Sequence, residues 1–508
     1  DLHRRRHSFP TRRSSDLGWV AALRIALSSL RAGVAADECL RHESGAGYAL
    51  ETFLDELMLR LPPHYFQFML RSSILPSLSA EVCNELVGIR DSALLLDELF
   101  HQYQLINQES GDTGAYGYHP LVRDFLLLRL MRTISVDELH ALHLKAAHWY
   151  AHRGLTTEAI RHAVNADARE LVAQWTEQSA MRLLKEGNIR VVLGWRKWLP
   201  KDWMRWQLSL RLVIGWSLLL AAQREAARAW LYETEADMAA GMVDSTEQGR
   251  VECLAMRVCL EATSDATELA LRLSEQYNAS PLPDPWIKNA VNNCVMYSHL
   301  VARRHDLVDQ IPWVASLDRS GLRAIPSEVY RLCEHGLSYA QRYRLNDAET
   351  CFRKAQHLAH EQRGPQSSLA AIPAVLLAQQ WYACDRMAEA QTLLENRLEP
   401  ISVTGFLDCQ LLAYVLNVRL ALWLGDFVFA HQLLDQADVV AKTEGWLRMS
   451  SALTLERLRI CLEQGNVSQA RACLDALTQL LLQCGADDGV VLTHVQHNLQ
   501  QARAWWDL

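Results

Sequence analysis

A small or turn-forming residue followed five positions later by an alanine recurs along most of this chain, and no other feature limits its possible folds as strongly. Gly154/Ala159, Ala222/Ala227, Asp385/Ala390, Gly425/Ala430 and Gly465/Ala470 follow the pattern. Gly187/Val192 and Tyr343/Ala348 fit with one substitution each. Successive second members lie 33, 35, 121, 42, 40 and 40 residues apart. The first position turns the chain between two antiparallel helices. The second is small enough for the following helix to press against its neighbour. One such pair cannot bury its apolar face alone, so pairs must stack. The 121-residue interval fits three weaker units, interrupted by the proline-rich loop 280–285. The repeat count between Ala227 and Ala348 is left open by the sequence.

Upstream of the repeats the pattern changes. Leu50, Phe53, Leu54, Leu57 and Leu61 have helical spacing up to Pro62-Pro63, where a helix must stop. A second helix is predicted over 65–75, before Pro76. Ser79 is a suitable N-cap for a short helix that Gly88 ends. A further helix runs over 91–99. Leu105 to Gln108, a Ser-Gly-Asp-Thr-Gly turn at 110–114 and Tyr116 to Tyr118 read as a β-hairpin. Pro120 then opens a helix with Leu121, Phe125 and Leu128 on one face. Short helices, a hairpin and a helix describe a winged-helix unit. The predicted fold class is therefore all-α, a winged helix with one small hairpin followed by a tetratricopeptide-like superhelix.

Composition bounds the function. The chain has 508 residues, half of them hydrophobic and 22% charged, which is the balance of folded domains. A net charge of −8 disfavours non-specific nucleic-acid binding. No apolar run approaches the ~20 residues of a membrane helix, so no membrane partner is expected. The twelve cysteines contain no CxxC pair and are expected to be reduced and mostly buried in a cytoplasmic protein. Residues 1–17, DLHRRRHSFPTRRSSDL, carry five arginines and no apolar period. They read as spurious or disordered sequence. Without them the net charge is −11, from 46 basic and 57 acidic residues. The expected organisation is this segment, a helical remnant at 18–45, the winged helix at 46–137, repeats at 138–480 and a helical tail at 481–508.

Three stretches together resemble the MalT-like, LuxR-type family of ATP-dependent (STAND) transcription regulators. The first is Gly18-Trp19-Val20-Ala21-Ala22-Leu23, similar to the helix that closes the family's ATPase module. The second is the winged-helix run with residues 68–75, FMLRSSIL, and 118–126, YHPLVRDFL. The third spans Leu142 to Ala168, with AAHWY at 146–150 and EAIRHA at 158–163. Trp195 to Pro200 and Leu210 to Trp230 also follow the family. The resemblance covers about residues 18–230, and the later repeats by architecture. It implies a switch in which an ATPase module, winged helix, repeat sensor and helix-turn-helix act in series. An inducer or regulatory protein would bind the repeats and release an ADP-bound resting state, and the ATP form would self-associate. No GxxxxGK[ST] loop occurs in this chain, and no helix-turn-helix follows the repeats. The chain itself is thus expected not to be an enzyme and to hold no cofactor. ATP/ADP, magnesium and DNA contacts would belong to a full-length parent. A free-standing repeat scaffold that binds peptides is the alternative.

Individual residues carry weaker signals. By resemblance to related switch ATPases, His119 would face a nucleotide β-phosphate; it can equally cap the Pro120 helix. His140, His143, His148, His152 and His162 lack the geometry of a zinc site and are expected on solvated faces. Trp195, Trp198, Trp203, Trp206, Trp216 and Trp230 either pack between helices or line an inducer groove. Glu109 and Asp112 make no catalytic dyad. The inducer-groove residues cannot be assigned.

Overall fold

The computed structural model describes residues 54, 55, 58 and 61–507, except 104, 109–114, 201, 204–206, 244–245, 315–324 and 485–488. The arginine-rich start, the helical remnant, most of the helix predicted over 50–61, the hairpin turn, Glu109, Asp112, Cys39 and Trp206 lie outside the described residues. The chain divides into two compact units, one up to Trp175 and one from Thr176.

The first unit contains the winged helix. Helix α1 spans Pro63–Ser72. It begins two residues before the predicted start, because proline suits the first helical turn. Ser72 and Ser73 close it by donating to the carbonyls of Phe68 and Leu70, each at 2.7 Å. Helix α2, Ala80–Val87, is capped by Ser79 and ends at Gly88, with φ 80°. Helix α3 covers Ser92–His101. Strands β1, Ile106–Gln108, and β2, Tyr116–Tyr118, pair antiparallel with Ile106 opposite Tyr118. Leu78 adds a bridge to Tyr116. Helix α4 is Pro120–Thr133. Its buried face is Val122, Phe125, Leu126 and Leu130, while Leu128 is 45% exposed. The expected face of Leu121, Phe125 and Leu128 is thus rotated. A leucine-rich helix offers two nearly equal apolar stripes, and its neighbours select one. Helices α5, Val136–His152, and α6, Thr156–Asn165, form the first helix pair. Their Leu142, Ala146, Tyr150 and Ala159 join the same core as Phe68, Leu75, Leu96 and Leu126.

Helix α7, Arg169–Lys185, leads into the second unit, where the repeat pattern becomes a backbone rule. Its pairs are α7/α8 (Ile189–Trp195), α9/α10 (Leu208–Leu220, Arg224–Ala239) and α11/α12 (Glu247–Thr263, Thr267–Ala279). There follow α13/α14 (Pro285–Val301, His305–Val308), α15/α16 (Ile325–Gln341, Leu345–Arg363) and α17/α18 (Ser368–Ala383, Met387–Leu394). After α19, Leu398–Thr404, come α20/α21 (Leu407–Trp423, Phe427–Glu444), α22/α23 (Leu447–Glu463, Val467–Gln483) and α24 (Gly489–Asp507). Every pair, α5/α6 included, turns on one residue with positive φ: Gly154, Gly187, Ala222, Asp265, Arg303, Tyr343, Asp385, Gly425 and Gly465. Five residues after each stands an alanine or valine that is 0–2% exposed. Asp265/Ala270 and Arg303/Val308 divide the 121-residue interval into steps of 43, 38 and 40. Asp265/Ala270 has the same residue types and spacing as Asp385/Ala390 and so satisfies the pattern, whereas Arg303/Val308 is hidden because arginine is not a turn former and Val308 is not alanine.

The pair α13/α14 departs from the rest. Its second helix is a single turn, and the chain then runs along α13. Asn289 bonds both the N–H and the carbonyl of Val314, at 3.0 and 2.8 Å, and Asn292 donates to the Pro312 carbonyl at 2.9 Å. Side-chain amides there replace the backbone bonds that a full helix would have made.

Left-handed backbone costs a non-glycine residue about 1–2 kcal/mol. Tyr343 adopts it with φ 60° while 90% exposed, so its side chain returns little packing. Tyr343→Gly is expected to stabilise the second unit by about 1 kcal/mol, and Gly425→Ala to destabilise it by a similar amount. Urea unfolding of the two variants checks this; an unchanged midpoint for both would show that the turns carry no strain.

Candidate functional site

The first helices of successive pairs in the second unit, α9, α11, α13, α15, α17, α20, α22 and α24, pack side by side as one continuous row. The row returns on itself. Arg224 donates to Thr263 O at 2.8 Å and to Glu444 at 2.9 Å, 220 residues away in sequence. Its guanidinium lies 4.5 Å from the ring centre of buried Trp446.

Arg448 fastens the same closure. Its Nε donates to Asp265 at 2.7 Å, and its terminal nitrogens donate to Asp408 at 3.1 and 3.2 Å and to the Tyr297 hydroxyl at 3.1 Å. Tyr297 in turn donates to Asp408 at 2.5 Å. Four helix pairs meet in these bonds. Burial opposes the Arg448 charge, but Asp408, Tyr297 and Asp265 more than compensate and hold its pKa well above the ordinary value. Burial also works against the Asp408 carboxylate; Arg448 and the Tyr297 hydroxyl outweigh it, so its pKa lies below the usual one.

Beside this clasp, the row of first helices lines a partly open cavity of about 130 Å³. Trp216, Trp286, Tyr297, Tyr330 and Phe406 supply aromatic walls. Trp286 meets Trp216 edge to face at 5.2 Å between ring centres, and Phe406 meets Tyr297 at 5.1 Å. The Trp216 indole is anchored from behind by donating to buried Glu252 at 3.0 Å. Glu334 and Asn293 line the cavity and are 4% and 6% exposed. Asn293 Nδ2 donates to Ser327 O at 2.9 Å, which leaves Asn293 Oδ1 without a partner. Glu334 Oε2 has none either. Burial, reinforced by neighbouring Cys294 and only partly opposed by Arg331, raises the Glu334 pKa well above its ordinary value. Cys259 and Cys294 complete one wall. A larger chamber of about 710 Å³ adjoins and shares Leu220, Trp286, Ser327 and Tyr330 with the cavity.

The residues singled out from sequence separate into several places. His119 is the N-cap of α4 in the first unit, where its Nδ1 accepts the Leu121 N–H at 3.4 Å. Of the tryptophans, Trp195 is fully buried packing, whereas Trp216 both packs and faces the cavity. Trp230 donates to Arg211 O at 2.8 Å. The histidine expectation needs correction: His143 and His162 are 8% and 3% exposed, not solvated. Their Nδ1 atoms lie 2.9 Å apart, one ring donating to the other, and Tyr150 stacks on His162. Among the described residues no group of three or more His, Cys, Asp or Glu is placed to hold a metal, and no helix is long and apolar enough to cross a membrane. The described cysteines are all free thiols, and five of them are buried outright along with Cys83. Sequence reasoning missed Glu334, Asn293 and Arg448. Each is a single polar residue in a helix whose period is set by its apolar neighbours, so no local signal marks it.

Fold and cavity together define a class: an all-α protein with a winged helix followed by tetratricopeptide-like helix pairs, several of which line one pocket. Residues 54–138 match the model of the MalT winged helix domain. The chain is 24% identical over 510 residues to the HTH-type transcriptional regulator MalT of Cronobacter sakazakii, covering 91% of this chain and 56% of that protein. It is 26% identical over 448 residues to the serine/threonine-protein kinase PknK of Mycobacterium tuberculosis, covering 87% of this chain and 40% of the kinase. A solved STAND protein with a tetratricopeptide repeat sensor, from Pyrococcus horikoshii, aligns over 92% of this chain and 66% of its own, with 13% identity and a TM-score of 0.44. The chain is thus similar to MalT over most of its length, and its residues 54–138 to the MalT winged helix domain. It spans about two fifths to just over half the length of the curated relatives it matches.

Proposed function

We propose that this chain is the signal-sensing and autoinhibitory or oligomerisation portion of a cytoplasmic MalT-like, LuxR-type regulator. The observation that carries this reading is the cavity beside a clasp that joins distant repeats. A ligand seated there touches α9, α11, α13 and α15 at once, and Tyr297 belongs to both cavity and clasp. Such a ligand favours whichever arrangement of the row fits it better, and differential affinity is what a switch needs. Similarity to parts of proteins named as a transcription regulator and as a kinase supports a sensing module shared by different effectors. In this reading the chain is not itself an enzyme. ATP/ADP and magnesium act elsewhere in the parent protein, DNA is met through a helix-turn-helix outside this chain, and His119 caps its helix while facing the nucleotide-binding part.

Sequencing the locus through both ends of this reading frame tests the proposal. The expected result is an in-frame GxxxxGK[ST] loop upstream and a helix-turn-helix downstream. A frame with neither would replace this reading by that of a free-standing peptide-binding scaffold.

A further inference from the structure

The cavity's chemistry says more than that something binds there. Its two polar atoms without partners, Glu334 Oε2 and Asn293 Oδ1, are both hydrogen-bond acceptors when the carboxyl is ionised. The amide orientation is set, because Asn293 Nδ2 already serves the Ser327 carbonyl. The nearby cations are mostly engaged elsewhere: Arg331 gives Nε to His335 and one terminal nitrogen to the Ile311 carbonyl while its Nη1 has no hydrogen-bond partner, and Arg224 bonds Thr263 O and Glu444. Neither forms an ion pair with Glu334 among the described residues. The remaining wall is aromatic, and indole and phenol faces attract a cation.

Resting on the reading of this cavity as the sensing site, we propose that it takes the ammonium head group of a small organic amine. Glu334 is the counter-ion, Asn293 the second acceptor, and Trp216, Trp286, Tyr297, Tyr330 and Phe406 the aromatic surround. A carboxylate would meet ionised Glu334 as a like charge, and the unpartnered Asn293 Oδ1 would offer it no donor. A polyol would need more hydrogen-bonding partners than this wall offers, and its unmatched hydroxyls would be buried at a cost. An apolar cavity of ~150 Å³ holds a benzene-sized molecule, so this site accommodates a head group of that scale. Any larger remainder extends into the adjoining chamber, past the shared Trp286 and Tyr330.

Titration calorimetry of the full chain with three probes of one shape tests this: 2-phenylethylammonium, the neutral 2-phenylethanol and the anion phenylacetate. The ammonium is expected to bind about tenfold or more tightly than either. Glu334→Gln is expected to erase that preference while the chain stays folded, and Asn293→Ala to weaken the ammonium several-fold. Equal or better binding of the neutral or anionic probe, lost on Trp286→Ala, would overturn the ammonium assignment and leave the sensing reading standing. Retention of ammonium preference in Glu334→Gln would overturn it as well. If none of the three probes binds the folded chain, the ammonium assignment falls, and the locus sequencing decides the sensing reading separately.

Discussion

Replacing Arg448 by alanine is expected to destabilise the second unit by about 3 kcal/mol, chiefly the cost of leaving buried Asp265 without its cation, with a smaller share from half-buried Asp408. Arg448 is 4% exposed, and Asp265 and Asp408 converge on it from pairs far away in the chain. Unlike a surface ion pair, the Arg448–Asp265 contact has no water to take over, whereas Asp408 is 30% exposed and is partly rehydrated. The damage should be directional. Hydrogen exchange ought to accelerate first at the turn of Asp265, along α13 around Tyr297 and at the start of α20, while α5 and α6 of the first unit keep their protection. Arg448→Lys should recover little, because a single ammonium cannot reproduce a planar fork that serves Asp265, Asp408 and Tyr297 together. Wild-type exchange at all three places in the alanine variant would mean that the clasp contributes nothing to closure.

Acidification should strike the first unit instead. Burial, with the positive charges of neighbouring groups adding to it, lowers the pKa of His143 to about 4 and of His162 to about 3. In the unfolded chain both titrate near 6.5. The folded state therefore binds fewer protons than the unfolded state between these values. The stabilisation is complete above about pH 6.5 and is lost as the pH falls towards 4 and then 3. His140 contributes to the shift of His143, and Arg123 and Arg161 to that of His162. The summed loss is on the order of several kcal/mol. It should appear as a falling thermal midpoint and faster exchange in residues 136–165 between pH 7 and 4. His162→Gln, which removes one titrating ring, should flatten that dependence by roughly half. A midpoint that does not move over this range would rule out the buried pair as the acid-sensitive element.

Glu334 carries the opposite sign. Its pKa is raised in the folded state, so its cost is absent below the unfolded pKa near 4.3 and grows as the pH rises above it. Glu334→Gln should therefore raise the melting temperature at pH 7.5 by a few degrees and leave it unchanged at pH 4. Thermal unfolding of the two proteins at both pH values checks this. A gain that persists at pH 4 would point to packing rather than charge.

Local signals decided a great deal in this chain. Pro63, Ser79, Gly88 and Pro120 fix where helices begin and end because their covalent structure limits φ or supplies a cap, whatever surrounds them. The five-residue spacing between turn and alanine fixes the helix pairs for the same reason: one residue must reverse the chain and another must be small enough for close contact. The signal fades where another contribution outweighs propensity. Arg303 turns the chain with an ordinary side chain, because the packing of Val308 holds it there.

Tertiary structure alone decided the rest. Which stripe of α4 is buried depends on neighbours tens of residues away. His143 and His162 look like solvated residues until two helices bring their rings to 2.9 Å. Asp265, Tyr297, Asp408 and Arg448 are unrelated in sequence, and only the return of the helical row brings them together. The same return places Glu334 and Asn293 among five aromatic rings. Helix and turn positions were legible because they rest on interactions within a few residues, whereas the clasp and the cavity rest on distances that no local pattern encodes.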